Sequence, residues 1–142
     1  MKKKAVKKEA KKSNSKKKKQ EKIEAGNLIE DSSIIFENCI RCGLCKSLCP
    51  VFKTLREEVI SPRGHAVLLS EKTLEKAIFQ CTLCKACEIK CPVEIKICDG
   101  VLKAREALVI KGKGMKKDEE MVENIRKSGT PFKEGSEKGY RC

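Results

Sequence analysis

Two groups of four cysteines with the same spacing are the residues of this sequence best suited to chemistry. Residues 39 to 50 read CIRCGLCKSLCP and residues 81 to 92 read CTLCKACEIKCP, so both follow the pattern C-x-x-C-x-x-C-x-x-x-C-P. Thiolates bind soft metal ions, and two-residue gaps let one tight loop turn three sulfurs and its backbone N–H groups to the same side. The proline after the fourth cysteine has a fixed φ and no N–H donor, so it sends the chain in a new direction. The repeat therefore predicts a metal centre built from two loops.

This pattern resembles the ligand run of bacterial ferredoxins that hold two 4Fe-4S clusters. The resemblance implies that the fourth cysteine of each run binds the cluster of the other run. We therefore predict two 4Fe-4S clusters as the cofactors. The predicted ligands of the first cluster are Cys39, Cys42, Cys45 and Cys91, and those of the second cluster are Cys81, Cys84, Cys87 and Cys49.

Two other uses of cysteine fit the sequence less well. Structural zinc sites usually pair two C-x-x-C knuckles, whereas here three cysteines follow one another at this spacing in both runs. A disulfide framework is typical of secreted proteins, and the N-terminal residues do not resemble a secretory signal. The sequence therefore favours an iron-sulfur protein over both alternatives.

Length and composition limit what else the chain can do. Its 142 residues predict one small domain with tails, and aromatic residues make up only 4% of them. A chain so poor in large side chains buries little apolar area, so we expect the clusters to replace part of the core. No apolar run approaches the ~20 residues that a membrane-spanning helix needs. We predict a cytoplasmic protein, since thiols stay reduced in that compartment.

Positive charge is concentrated at the N-terminus. The formal net charge is +13, and residues 1 to 22 contain twelve lysines against two glutamates, a net +10. Such a segment predicts a disordered, solvated tail. Docking to an acidic partner, an anionic membrane surface or nucleic acid is the functional alternative. No aromatic residue lies among these lysines to stack on a base, so nucleic acid is the least favoured partner.

Short helices are expected to position the two cysteine loops. Caps, proline positions and apolar spacing predict them. The predicted helices span Asn27 to Glu37, Gly43 to Leu48, Pro62 to Leu69 after a Ser61 cap, a segment capped by Thr73, Cys98 to Lys111, and Lys116 to Lys127. We therefore expect an all-α domain of short helices and loops over residues 23 to 132, followed by a flexible tail over residues 133 to 142.

Several single positions carry further expectations. Leu74, Ala77 and Ile78 share one face of their segment, Val101, Ala104 and Leu108 share a face of theirs, and Met121, Val122 and Ile125 are expected to point inward. His65, the only histidine, is expected on an exposed helix surface rather than in a proton-coupling role. Cys98 is expected to be a small buried apolar residue rather than a ninth ligand. Cys142 is expected to be a free terminal thiol.

The order of these features resembles a known family. A first cysteine run, Ser61-Pro62-Arg63-Gly64, a helical pair and a second run are similar to the α-helical ferredoxin domain of glycolate oxidase and lactate-utilisation iron-sulfur subunits. A similar domain occurs in the C subunits of heterodisulfide reductase and of anaerobic glycerol-3-phosphate dehydrogenase and, more distantly, in the succinate dehydrogenase iron-sulfur subunit. The resemblance covers about residues 27 to 132 and includes Gly129-Thr130-Pro131-Phe132, which is similar to the family's Gly-Asn-Pro-Phe linker. It implies an α-helical ferredoxin with two pseudo-symmetric cluster-binding loops. His65 stands where the larger relatives are expected to have arginine.

The resemblance implies electron transfer without substrate chemistry. The larger relatives carry Cys-Cys-Gly modules, whereas this sequence has no adjacent cysteine pair. It also has no Gly-rich dinucleotide motif, no P-loop and no nucleophile with a partner base. We therefore predict a non-catalytic subunit that relays single electrons between a flavin- or cysteine-rich oxidoreductase partner and a second carrier. A free-standing diffusible ferredoxin stays an alternative, and a nucleic-acid-binding protein with structural clusters is a less favoured one.

Overall fold

The computed structural model describes the backbone of residues 2–132 and the side chains of residues 18–132. Within this range the chain forms six α-helices and three 3₁₀ turns without a β-strand, so the predicted all-α fold is confirmed. The helices are α1 (Lys2–Phe36), α2 (Pro50–Leu55), α3 (Pro62–Ser70), α4 (Ala86–Ile89), α5 (Ile97–Ile110) and α6 (Lys116–Ser128). The 3₁₀ turns are Leu44–Leu48, Glu58–Ile60 and Lys76–Gln80. The expected C-terminal tail and Cys142 lie outside the described residues.

Helix α1 is much longer than the sequence predicted. A disordered tail was expected over residues 1 to 22 and a helix only from Asn27, whereas α1 runs continuously from Lys2 to Phe36. Lysine, alanine, glutamate and glutamine are good helix formers, and no glycine or proline occurs before Gly26. The helix propensity of these residues therefore agrees with a continuous helix. None of the helices in the described range is long and apolar enough to span a bilayer.

The core lies where α5 packs against the C-terminal part of α1. Val101, Ala104 and Leu108 are buried along one face of α5, as the spacing predicted. Gly100 lies directly against the ring of Phe36, and a Cβ at Gly100 would overlap that ring. The Ser32 hydroxyl donates a hydrogen bond of 3.0 Å to the Gly100 carbonyl. The missing side chain thus lets the two helices approach closely, next to the first cysteine loop.

Helix α3 begins where the sequence predicted. The Ser61 hydroxyl accepts a hydrogen bond of 2.9 Å from the Gly64 N–H, and Pro62 occupies the first helical position. These two features satisfy one free N–H of the helix start and preset the backbone φ. A Cβ at Gly64 would overlap the Glu58 carbonyl, so this glycine allows α3 to pack on the preceding turn.

The helix expected after Thr73 is a 3₁₀ turn instead. The segment bends into helical geometry only at Lys76, because Glu75 is extended. The Ile78 carbonyl accepts hydrogen bonds from the Cys81 N–H and from the Arg105 side chain, so it does not continue a helix. Of the three apolar residues predicted to share a face, only Ile78 is fully buried. The backbone therefore leaves this turn directly into the second cysteine loop.

Helix α6 spans the predicted residues and ends at Gly129, whose φ is 74°. The prediction that Met121, Val122 and Ile125 point inward is wrong, since 43%, 42% and 46% of their surfaces are exposed. An open groove lined by Phe79, Val109 and Val122, among others, separates this helix from the rest of the domain. Spacing identified the apolar face of α6 correctly but could not show whether another element covers it.

Candidate metal centre

The two cysteine loops have the same backbone shape. The second and fourth residues after the first cysteine are left-handed in both loops, with φ of 55° at Arg41 and 80° at Gly43, and of 56° at Leu83 and 59° at Lys85. Non-glycine residues rarely adopt this conformation, so its recurrence at matching positions is a structural repeat and not a coincidence of sequence. Backbone that alternates into the left-handed region turns successive N–H groups toward one concave side, where anionic groups bind.

The first cavity lies under the loop that begins at Cys39. The cysteines that line it are Cys39, Cys42, Cys45 and Cys91. Three of these come from the first run and one from the second. The empty volume of this cavity is about 360 Å³, open solvent at its mouth included. Apolar side chains that include Ala66, Val93, Ile95 and Ile97 form part of the remaining wall, and Arg41 and Arg63 add positive charge to it.

The second cavity repeats this arrangement. The cysteines that line it are Cys49, Cys81, Cys84 and Cys87, together with Cys98 from the start of α5. Its empty volume is also about 360 Å³. Pro62 and Ile97 line both cavities, so the two lie side by side on either side of these residues. The grouping of the cysteines is the one that the predicted crossed ligand sets require, while ligation itself stays a prediction.

The fourth cysteine of each run is held in the same way. The Phe52 N–H donates to the sulfur of Cys49 at 3.5 Å, and the Ile95 N–H donates to the sulfur of Cys91 at 3.4 Å. These two matching bonds fix the position of the fourth sulfur of each run. The chain direction set by Pro50 and Pro92 thus brings each of these sulfurs to the neighbouring cavity.

The donor set fits a 4Fe-4S cluster. All nine cysteines of the described range are free thiols. No three cysteine, histidine or carboxylate side chains in this range converge closely enough to hold one metal ion. Instead, four sulfurs line the first cavity, and four sulfurs of the two runs together with Cys98 line the second. A cluster with an iron at each of four corners requires four. Cavity, sulfur count and inward-facing loop backbone are therefore consistent with such a cluster at each site.

The thiols in these cavities are costly to ionise without a cation. Burial, followed by the neighbouring Cys39 and Cys42, raises the pKa of Cys45 to about 11. Burial, followed by the neighbouring Cys98 and Cys81, raises the pKa of Cys87 still further. When a cluster binds to these cysteines, their thiols must therefore release protons. A positively charged metal core is needed to stabilise several thiolates so close together.

Arg105 is a site residue that the sequence analysis missed. Its guanidinium donates to the Ile78 carbonyl at 2.9 and 3.2 Å and to the Cys81 carbonyl, and it lies over the Phe79 ring at 5.7 Å. These contacts fix the backbone that leads into the second cysteine loop. The sequence did contain a signal for this role. Arg105 lies one helical turn after Val101, on the face of α5 predicted to be buried, and an arginine at such a position is expected to pair with an acceptor.

Glu58 joins the first cysteine loop to α3. Its carboxylate accepts hydrogen bonds from Lys46 at 2.8 Å, from Arg63 at 2.7 Å and from Ser61 at 3.2 Å. Burial alone would raise the pKa of Glu58, but the hydrogen bonds from Lys46 and Arg63 outweigh it and lower the pKa. Because the carboxylate is about half exposed, we assign it a positioning role and only a small stabilising one.

His65 is buried, so the prediction of an exposed histidine is wrong. Only 1% of its surface is accessible, and its side chain lines the second cavity. The helical spacing placed it correctly on α3 but could not show that α3 is wedged against both cavities. Burial lowers the pKa of His65 to about 4, the backbone at Ala77 partly opposes this shift, and the charge of Arg105 adds to it. The imidazole is therefore neutral at pH 7.

Comparisons with known proteins agree with this geometry. Residues 35–95 match the family described as the 4Fe-4S dicluster domain. The chain is 30% identical over 74 residues to the glycolate oxidase iron-sulfur subunit of Escherichia coli (strain K12). The aligned region covers 46% of this chain and 18% of that protein. It is 34% identical over 71 residues to the C subunit of the H(2):CoB-CoM heterodisulfide,ferredoxin reductase of Methanothermobacter thermautotrophicus. That aligned region covers 49% of this chain and 38% of the relative.

A third relative carries electron transport in its name. The electron transport protein YkgF of Escherichia coli (strain K12) is 31% identical over 86 residues, which cover 52% of this chain and 17% of that protein. The matches thus span less than half of the length of each of these relatives. They confirm the resemblance identified from the two cysteine runs: residues 35–95 match the 4Fe-4S dicluster domain, and the relatives include glycolate oxidase iron-sulfur subunits and heterodisulfide reductase C subunits.

Proposed function

We propose that this protein is an electron-transfer component of an oxidoreductase and holds two 4Fe-4S clusters with crossed ligand sets. Cys39, Cys42, Cys45 and Cys91 would hold the cluster of the first cavity, and Cys81, Cys84, Cys87 and Cys49 that of the second. The observation that carries this proposal is the composition of the cavities, each lined by three cysteines of one run and the last cysteine of the other. Bound clusters of this kind accept and release single electrons.

The arrangement of the cavities favours passage of an electron from one cluster to the other. Pro62 and Ile97 form a wall common to both cavities, so only a thin apolar partition separates them. Cys42 and Cys84 are exposed, whereas the other cysteines of the two runs are partly or fully buried. Each loop therefore comes to the surface at one ligand, which gives one point of electron entry and one of exit.

The surface around the first loop favours a protein partner. Ile40 and Leu44, which flank exposed Cys42, have 63% and 53% of their surfaces accessible. Apolar side chains at this exposure are suited to a docking interface rather than to contact with water. We propose that the partner is an oxidoreductase protein with a flavin or a Cys-Cys-Gly module. Since the thiols must stay reduced until clusters are inserted, we also propose a cytoplasmic location.

A redox titration followed by EPR tests this proposal. The anaerobically reconstituted full chain should give low-potential signals whose shape changes when the second cluster is reduced, because neighbouring paramagnetic clusters couple. A matched pair of variants, Cys42→Ser and Cys98→Ser, separates an assigned ligand from an unassigned buried cysteine. The first should remove or replace the signal of one cluster, whereas the second should leave both clusters bound. A single uncoupled signal, or none, would contradict the two-cluster conduit.

Purification under gentle conditions distinguishes a component of a stable complex from a diffusible carrier. We expect the native protein to elute in a stoichiometric complex with an oxidoreductase, and to separate from it when Ile40 and Leu44 are both replaced by glutamate. If the wild-type chain elutes alone and still carries the electron-transfer activity that the crude extract shows, the result would support a free-standing ferredoxin instead.

A further inference from the structure

The imidazole of His65 makes no hydrogen bond of normal geometry within the described part of the chain. Both ring nitrogens are buried, and the Ala77 backbone, although near enough to favour the protonated ring, does not form such a bond with either of them. A neutral imidazole has one N–H donor, and buried donors are almost always satisfied. Because only 1% of His65 is accessible and the side chain lines the second cavity, the missing partner should be sought inside that cavity.

Helix α3 presents different groups to the two cavities. His65 lines the second cavity, while Arg63 and Ala66 line the first, and Pro62 lines both. Arg63 donates through Nε to Glu58 at 2.7 Å, and its Nη1 lies beside Gly43 of the first loop. His65, the buried unsatisfied side chain of this helix, faces only the second site. The cavities are alike in cysteine spacing and volume but unlike in their hydrogen-bond donors.

We propose that His65 donates its imidazole N–H to a sulfur of the 4Fe-4S cluster in the second cavity and so makes reduction of that cluster easier than it would be without this bond. A donor beside cluster sulfur stabilises the more negative, reduced state, and hydrogen bonds to sulfur are among the factors that set cluster potentials. The first cavity receives no imidazole from α3 and has the guanidinium of Arg63 in its lining instead. This inference rests on the proposed function, and it deepens that function by naming a residue that sets the potential of the second cluster.

Isotope labelling tests the contact directly in the wild-type chain. His65 is the only histidine in the sequence, so growth with histidine labelled with ¹⁵N in the ring alone labels only this imidazole in a protein without a histidine tag. Pulsed EPR of the reduced, labelled protein should show a ¹⁵N coupling that unlabelled protein lacks. Reduced clusters with no histidine nitrogen coupling would overturn the proposal.

A pair of substitutions tests the energetic consequence. His65→Leu removes the donor at similar volume, and His65→Gln retains an N–H. His65→Leu should make one of the two midpoint potentials more negative by about 59 mV, a tenfold change in the equilibrium constant of a one-electron couple. In His65→Gln, that potential should lie close to its wild-type value. Val67→Ala, on the same helix but lining neither cysteine cavity, should change neither potential.

The outcomes separate this inference from the function beneath it. If iron analysis shows no clusters in the wild-type chain, the proposed function fails and His65 has no such partner. If both clusters are present but both potentials are unchanged in His65→Leu, or shift together, only the inference about His65 is overturned. If His65→Leu does not assemble its clusters, the labelling experiment on the wild-type chain decides.

Discussion

Cys45 and Cys91 line the same cavity although they belong to different cysteine runs. The thiol of Cys91 is close enough to contribute to the raised pKa of Cys45. Cys49 and Cys81 stand in the corresponding relationship in the second cavity, since Cys49 contributes to the raised pKa of Cys81. Each run thus contributes its last cysteine to the cavity of the other run, and neither set of four cysteines is complete without both runs.

This exchange predicts which substitutions act together. Cys45→Ser and Cys91→Ser should alter the same component of the EPR spectrum, because both would remove a ligand of the first cluster. Cys87→Ser and Cys49→Ser should alter the other component. Reduced-state EPR of the four variants checks this, with Cys98→Ser as the control that keeps both components. If Cys91→Ser altered the same component as Cys87→Ser, the ligand sets would be local to each run.

The contact between Gly100 and Phe36 predicts a large effect of one methyl group. Gly100→Ala would place a Cβ inside the volume of the Phe36 ring, and overpacking of this kind typically costs about 1–3 kcal/mol. Gly26→Ala is a matched control, because Gly26 also lies in a helix but nothing lies within 4 Å of the added Cβ. It should stabilise the helix by roughly 0.5–1 kcal/mol. Anaerobic denaturant unfolding of the holo-protein measures both, and equal effects of the two substitutions would contradict the packing described.

Arg105 should control the stability of the second cluster. Arg105→Met keeps the apolar stem but removes the donors to the Ile78 and Cys81 carbonyls, which typically costs about 1–3 kcal/mol when the carbonyls stay buried. We expect the variant to lose about four of its iron atoms to a chelator faster than the rest. Arg126→Met, in the exposed part of α6, should release iron at the wild-type rate. Uniform loss of all iron from Arg105→Met would argue against a local role.

Removal of the clusters should loosen the whole domain. The cavities are bordered by much of the small core, including Ile95, Ile97 and Ala66, so this core is formed in part around the sites. Because the chain has few large side chains, we expect the apo-protein to be molten, with poor dispersion in an amide NMR spectrum. The amide spectrum of the holo-protein, recorded with both clusters in their diamagnetic oxidation state, is the reference. A well-dispersed spectrum of the apo-chain would show that packing alone maintains the fold.

The sequence predicted the features that depend on local chemistry. The cysteine spacing indicated the two loops, Ser61 and Pro62 indicated the start of α3, and the spacing of Val101, Ala104 and Leu108 indicated the buried face of α5. Each of these follows from the geometry of one loop or one helix. Their agreement with the structure shows that local signals here point in the same direction as the global fold.

Features that depend on distant neighbours were not predicted. Whether His65 is buried depends on how α3 sits against both cysteine loops, and no pattern within α3 records that. Val122 lies on an apolar helix face that an open groove leaves half exposed, which its spacing cannot show. The turn after Thr73 depends on hydrogen bonds from Arg105, a residue far along the chain. Tertiary contacts decided each of these cases.

Elemental analysis of the anaerobically purified full chain tests the central claim most directly. Two clusters held by eight thiolates predict about eight iron atoms and about eight acid-labile sulfides per chain, with no stoichiometric zinc. About four of each would leave only one cluster and no internal conduit for electrons. Zinc in place of iron would contradict the account as a whole.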